Sequence, residues 1–140
     1  MSHSKKLLIA SALFGLIGVM MGGHMAGAGS YALRPVHAHV LVVGWLTLFA
    51  WSLFYKIYKP KHKLLATLHV WTALIGTFGL NAGMYVFMVG TIPLPETFSL
   101  IFYIVSGSIL SLSFIFFLLL TLLQPDTEGD PTTTSQILEQ

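Results

Sequence analysis

Residues 97–123 read TFSLIFYIVSGSILSLSFIFFLLLTLL and contain no charged side chain. About 20 apolar residues suffice to cross a ~30 Å hydrocarbon core as a helix. Because lipid cannot satisfy backbone polar groups, only helices and closed barrels span a membrane, and this run lacks the alternation of a barrel strand. The stretch therefore predicts a transmembrane helix.

Three further stretches share this apolar character. They cover residues 7–29, 36–55 and 64–91. Only 9% of the chain is charged, against about a quarter in soluble domains. The sequence predicts an all-α membrane protein, with a four-helix transmembrane domain over residues 1–123 and a flexible polar tail over 124–140. A cleaved signal peptide is the alternative interpretation of the first stretch, because two lysines precede it and small residues end it.

Positive charge gathers on one side of the predicted bundle. Lys5 and Lys6 precede the first stretch, and the other side carries only Arg34 and Glu96. The connection between the second and third stretches holds Lys56, Lys59, Lys61 and Lys63. Since lysine-rich loops remain in the cytoplasm, we expect a multi-pass protein of the bacterial inner membrane with both termini cytoplasmic. This placement explains the basic charge without a nucleic-acid partner.

Small residues recur four positions apart. The pairs are Gly18 and Gly22, Gly23 and Gly27, Gly79 and Gly83, and Gly107 and Ser111. Such pairs allow helix backbones to approach closely in lipid, so they predict tight packing and contacts between chains. On the second stretch, Gly44 leaves room for a flat group or another backbone.

Histidines provide the main functional signal, because ionisable groups in a membrane are costly. His24, His37 and His39 lie toward the side opposite the lysines, whereas His3 and His62 are expected to be solvated. His37 and His39 point about 200° apart on a helix and cannot bind one metal ion from the same face. Interfacial histidines bonded to loop carbonyls are the alternative interpretation.

His24 lies beside Met20, Met21 and Met25. Imidazole and thioether ligands suit copper(I), and either can be an axial heme ligand. A gap-filling methionine cluster is the alternative. Arg34 is suited to pair with heme propionates, or it is an arginine that extends to the interface.

His69 lies about 9 Å inside the lysine side of the third stretch. It is therefore too far along the membrane normal to share ligands with His39 of the same chain. The functional interpretations of His69 are a second redox site, a quinone contact or a proton path. A buried histidine bonded to a neighbouring helix is the alternative. The chain has no cysteine, which excludes disulfides, iron–sulfur clusters and thiolate-bound heme.

Residues 29–45, GSYALRPVHAHVLVVGW, resemble the histidine-bearing helix of catalytic subunit I of the heme-copper oxygen reductases and nitric-oxide reductases. Over about residues 7–120 the chain is similar to short four-helix bacterial proteins that are themselves subunit I-like. The matching positions are His37, His39, Gly44, Trp45, Leu68, His69 and Trp71. A complete subunit I has twelve helices in three arcs, so this chain resembles one arc. It lacks the histidines of the copper site.

The resemblance implies heme b, held by His37 and His39, in electron transfer or in binding of oxygen or nitric oxide. His24, Arg34 and His69 are further candidate cofactor-binding residues. The candidate metal ligands are His37, His39, His24 and Met25. Because His37 and His39 diverge, we expect a homo-oligomer, and the three arcs favour a trimer. A copper-binding protein and a metal-free accessory subunit of a respiratory complex remain alternatives, with quinol or such a complex as partner. Enzymatic activity stays open.

Overall fold

A computed structural model describes residues 1–90 and 92–124. Within them the chain forms four helices and no strand: α1 His3–Ala28, α2 Arg34–Ile57, α3 Lys63–Val89 and α4 Glu96–Leu122. Each is long and apolar enough to cross a membrane. The predicted all-α architecture, with four helices suited by length and composition to span a membrane, is thus confirmed. The predicted flexible tail lies, apart from Gln124, outside the described residues.

Local signals set the helix ends. The side chain of Ser2 accepts a hydrogen bond from the Lys5 amide, so α1 begins at His3 and not at residue 7. Gly29 ends this helix in the left-handed conformation with φ 59°, and Gly90 ends α3 in the same way with φ 64°. Pro35 lies in the first turn of α2, where its missing N–H has no cost.

Helix α2 contains a π-helical segment, Val40–Thr47, and the hydroxyl of Thr47 donates to the Val42 carbonyl at 2.9 Å. The buried residues along this part are Val36, Val40, Gly44 and Leu48. Positions four apart drift about 40° per step in an α-helix. The wider π turn counteracts that drift and holds these four positions on one face. Regular α geometry, which the sequence predicts for the whole helix, would not place these four residues on one face.

Helices α1 and α2 pack closely through small residues. A Cβ added at Gly44 would lie 2.5 Å from Cγ of Phe14, so the ring of Phe14 fills the room that Gly44 leaves. Gly18 accommodates Leu41 in the same way. The hydroxyl of Ser11 donates to the Trp45 carbonyl at 2.9 Å. The flat group expected at Gly44 is therefore an aromatic ring of the same chain.

Helices α3 and α4 approach each other at backbone distance. A Cβ at Gly76 would lie 2.5 Å from the amide nitrogen of Leu110, and one at Gly83 would lie 2.9 Å from Cα of Tyr103. By contrast, Gly23 on α1 has no atom within 4 Å of such a Cβ among the described residues. The expected close packing occurs on α3, while this part of α1 remains open.

The lysines share one end of the bundle. The ring of His3, which begins α1, lies 5.4 Å from that of Tyr55 near the end of α2. The amine of Lys6 lies 4.8 Å from the ring of Trp71 in α3. Arg34 and Glu96 begin α2 and α4 at the opposite end. The chain therefore has a lysine end and an arginine end.

We expect Gly76→Ala to lower the free energy of unfolding by about 1–3 kcal/mol, because the added methyl group meets the backbone of α4. Gly23→Ala should leave stability unchanged or raise it slightly, since its position is open and alanine favours a helix. Thermal unfolding in mild detergent, followed by circular dichroism, compares the two. Equal losses would contradict the packing described for α3 and α4.

Candidate functional site

The two histidines at the start of α2 lie on opposite flanks of the buried residue Val36, as their spacing requires. The half-buried imidazole of His37 lies along α1, where a Cβ added at Gly22 would be 3.2 Å from its Cε1. His39 is also half-buried, on the other flank. The structure therefore places the two rings apart, and within one chain they do not form one ligand pair.

A hydrogen bond fixes the ring of His39. Its Nδ1 lies 2.9 Å from the carbonyl oxygen of Pro35. Because a carbonyl only accepts, Nδ1 carries the proton and Nε2 keeps a lone pair. Histidines that bind metals usually donate their other ring N–H to a carbonyl or carboxylate in this way. His39 is thus oriented as a ligand, although the same bond also satisfies a histidine in a helix.

His37 has the opposite character. Its Nδ1 is buried and has no hydrogen-bond partner within residues 1–90 and 92–124. Buried polar atoms in native proteins are nearly always paired, and leaving one unpaired costs about 1–3 kcal/mol. The small residue Gly22 allows this ring to lie directly against α1. His37 therefore has a free hydrogen-bonding atom that the described part of the chain does not satisfy.

Arg34 extends from the arginine end of the bundle. Its side chain is exposed, and its guanidinium carbon lies 4.4 Å from the ring centroid of Tyr31. Stacking on an aromatic face leaves the N–H groups at the edge of the guanidinium available for an anion. The geometry is compatible both with the expected pairing to a carboxylate and with an arginine that simply extends into the interface.

The proposed copper ligands differ in burial. Met25 is 8% exposed and Met20 is 66% exposed, while Met21 packs against the core. His24 is exposed and lines, with Met25, a cavity of about 230 Å³ at the arginine end. In the part of the chain that the structure describes, no group of three or more His, Cys, Asp or Glu residues could hold a metal ion. The site expected from His24 and its neighbouring methionines stays a prediction.

His69 forms a second site near the lysine end. It is 0% exposed, and its Nδ1 lies 2.8 Å from the hydroxyl of Tyr55. The same hydroxyl lies 3.2 Å from the carbonyl oxygen of Ala66. The phenol therefore connects the imidazole to the backbone of α3. This arrangement matches the structural alternative, a buried histidine bonded to a neighbouring helix.

Aromatic rings enclose the same imidazole. The ring of Trp51 lies 4.6 Å from it in a T-shaped contact, and that of Phe117 lies 5.3 Å away. The Nε2 atom of His69 is buried without a hydrogen-bond partner among the described residues. Because the site has no exposed surface, a cofactor could reach His69 only if α2 and α4 moved apart. The enclosure favours a packing role over ligation.

Tyr55 is the residue of this site that sequence reasoning missed. Tyr55 and His69 lie at equal sequence distance from His62 in the connection between α2 and α3. In an antiparallel helix pair such positions come side by side. This symmetry is the signal that predicts the contact.

His3 was expected to be solvated, and this expectation was wrong. It is half-buried against Tyr55, and its Nε2 lies 3.5 Å from the hydroxyl of Thr67. The reason is that α1 begins at His3 and packs against α2 and α3 from its first turn. His62 is exposed, as predicted.

Comparison with protein-family models, curated proteins and solved structures finds no match to this chain. The resemblance to subunit I therefore depends on the quoted residues alone.

We expect Tyr55→Phe to lower the free energy of unfolding by about 1–3 kcal/mol, because it leaves Nδ1 of His69 buried and unpaired. Tyr58→Phe is the matched control, since the hydroxyl of Tyr58 makes no hydrogen bond within the described residues. Thermal unfolding in detergent measures both. If Tyr58→Phe loses as much stability as Tyr55→Phe, the hydrogen bond between Tyr55 and His69 does not account for the loss.

Proposed function

We propose that this protein is an integral membrane protein that binds heme b through the histidines at the start of α2. The hydrogen bond from Nδ1 of His39 to Pro35 is the observation that carries the proposal, because it leaves Nε2 as a fixed and accessible ligand. Bound heme would supply an iron for one-electron transfer or for binding of oxygen or nitric oxide. The resemblance of residues 29–45 to subunit I supports the same reading.

The neighbouring residues fit this role. Arg34 comes one helical turn before His37 at the arginine end, where its guanidinium can pair with a propionate. The unpaired Nδ1 of His37 offers a further polar contact or ligand next to α1. These residues would bind and orient the heme.

An oligomer follows from the divergence of the two histidines, and the resemblance to one of the three arcs of subunit I favours a homotrimer. Since His37 and His39 occupy opposite flanks of α2, His37 of one chain and His39 of the next can serve one iron in a closed ring. The open surface of α1 around Gly23 and Gly27 supports an interface there, because a Cβ added at either glycine would meet no atom of another helix within 4 Å among the described residues. In this proposal the lysine end faces the bacterial cytoplasm.

Purified full-length protein is expected to show a Soret band and sharp reduced α and β bands. His39→Ala should lower heme content at least about ten-fold, since it removes a ligand. His62→Ala is the matched control, because this exposed histidine lies at the lysine end. A colourless protein after expression with sufficient heme would overturn the proposal, as would full heme retention in His39→Ala.

Co-expression of His37→Ala chains with His39→Ala chains tests the trimer. The mixed assembly should regain part of the bis-histidine spectrum, whereas each variant alone should have none, because each intact site needs one histidine from each of two chains. Differently tagged chains allow the mixed assembly to be purified. A monomer that holds bis-histidine heme at full occupancy would contradict the shared site while leaving heme binding intact.

A further inference from the structure

A cavity of about 610 Å³ opens between α1 and α2 at the lysine end. Its volume falls within the ~300–1,000 Å³ of typical ligand sites. Lys5, Lys56 and Lys59 line it on the side of the helix ends. Phe49 lies two turns further into α2 than Lys56, about 10 Å along the helix axis. The cavity therefore runs from a charged mouth toward an apolar interior.

The interior is formed by apolar side chains of both helices, Leu8 from α1 and Phe49 and Leu53 from α2. Leu8 and Leu53 remain 44% and 43% exposed in the folded chain. An apolar chain that lies in the cavity would cover these surfaces. The hydroxyl groups of Ser2 and Ser4 add hydrogen-bond donors at the mouth.

The charge at this end has no counterpart in the described residues. All lysines of the chain lie here, and Glu96, the one acidic residue within residues 1–90 and 92–124, is at the opposite end. The other acidic residues belong to 125–140, outside the described residues. Three lysines line the cavity, and no carboxylate of the described residues lies at this end, so the cavity favours an anionic ligand.

We infer that this cavity binds one anionic phospholipid of the surrounding membrane. The phosphate pairs with Lys5, Lys56 and Lys59, and an acyl chain lies along Leu8, Phe49 and Leu53. A free phosphate would leave the apolar interior uncovered, and a neutral quinone would leave the lysines unpaired. The inference holds whether or not the chain binds heme.

A second groove, between α1 and α3, provides the internal comparison. It has a volume of about 480 Å³ and an almost wholly apolar lining, which includes Leu13, Trp71 and Phe78. Its one lysine, Lys6, already lies over the ring of Trp71 at 4.8 Å. Lipid in this groove should therefore show no preference for a negative headgroup.

Native mass spectrometry of the full-length protein tests the inference. The protein is released from bilayers that contain phosphatidylcholine and phosphatidylglycerol with the same acyl chains. One retained phosphatidylglycerol per chain is expected. Each lysine near anionic lipid contributes about five-fold to binding, so Lys5→Gln with Lys56→Gln should weaken retention ~25-fold. Lys6→Gln with Lys61→Gln removes the same charge from the same end and should change retention by less than about two-fold, because neither residue lines the cavity.

Leu53→Trp tests the apolar interior without a change in charge. The larger side chain should fill the cavity and lower phosphatidylglycerol retention, while circular dichroism and thermal unfolding verify that the variant folds. The inference would be overturned if phosphatidylcholine were retained as well as phosphatidylglycerol. It would also be overturned if both pairs of lysine substitutions weakened phosphatidylglycerol retention equally, or if folded Leu53→Trp retained phosphatidylglycerol as well as the unchanged protein does. Displacement of the lipid by inorganic phosphate at equal concentration would overturn it too, since that result would indicate a simple anion site.

Discussion

Lipid provides no hydrophobic attraction between helices, so this bundle depends on close backbone contact at glycines. Among the glycines of the described residues, Gly76 comes closest to the backbone of a neighbouring helix, at Leu110, where α3 and α4 meet without an intervening side chain. Between α1 and α2, the same constraint is met when Phe14 packs onto Gly44. Dispersion contacts at these positions replace the driving force that water gives a soluble core.

The π segment of α2 follows from this packing. Val36, Val40, Gly44 and Leu48 are spaced four residues apart and all pack inward. An ordinary α-helix would rotate the last of them about 120° away from the first. The π turns keep them on one face, and the side chain of Thr47 adds a hydrogen bond within that segment. The orientation of His37 and His39, just before the segment, is thereby coupled to the fit between α1 and α2.

Polar groups in this bundle separate into two ends with different chemistry. At the arginine end, His39 is fixed by a carbonyl and keeps an accessible nitrogen, and Arg34 is exposed. At the lysine end, His69 is enclosed by Tyr55, Trp51 and Phe117. The accessible ring is suited to bind a ligand, whereas the enclosed ring contributes to the packing of three helices. Identical imidazoles thus differ in role because burial and partners differ.

The sequence by itself determined the four helices, their approximate limits and the two charged ends. Capping residues act within a few positions of a helix end, and the length of each apolar stretch and the placement of the lysines can be read directly along the chain. It also determined that His37 and His39 diverge, since that depends only on helix geometry. Only the tertiary structure decided that Phe14 occupies the space at Gly44, and that His3 and His69 meet Tyr55. These outcomes depend on which helix faces meet, and that choice arises from the packing of all four helices together.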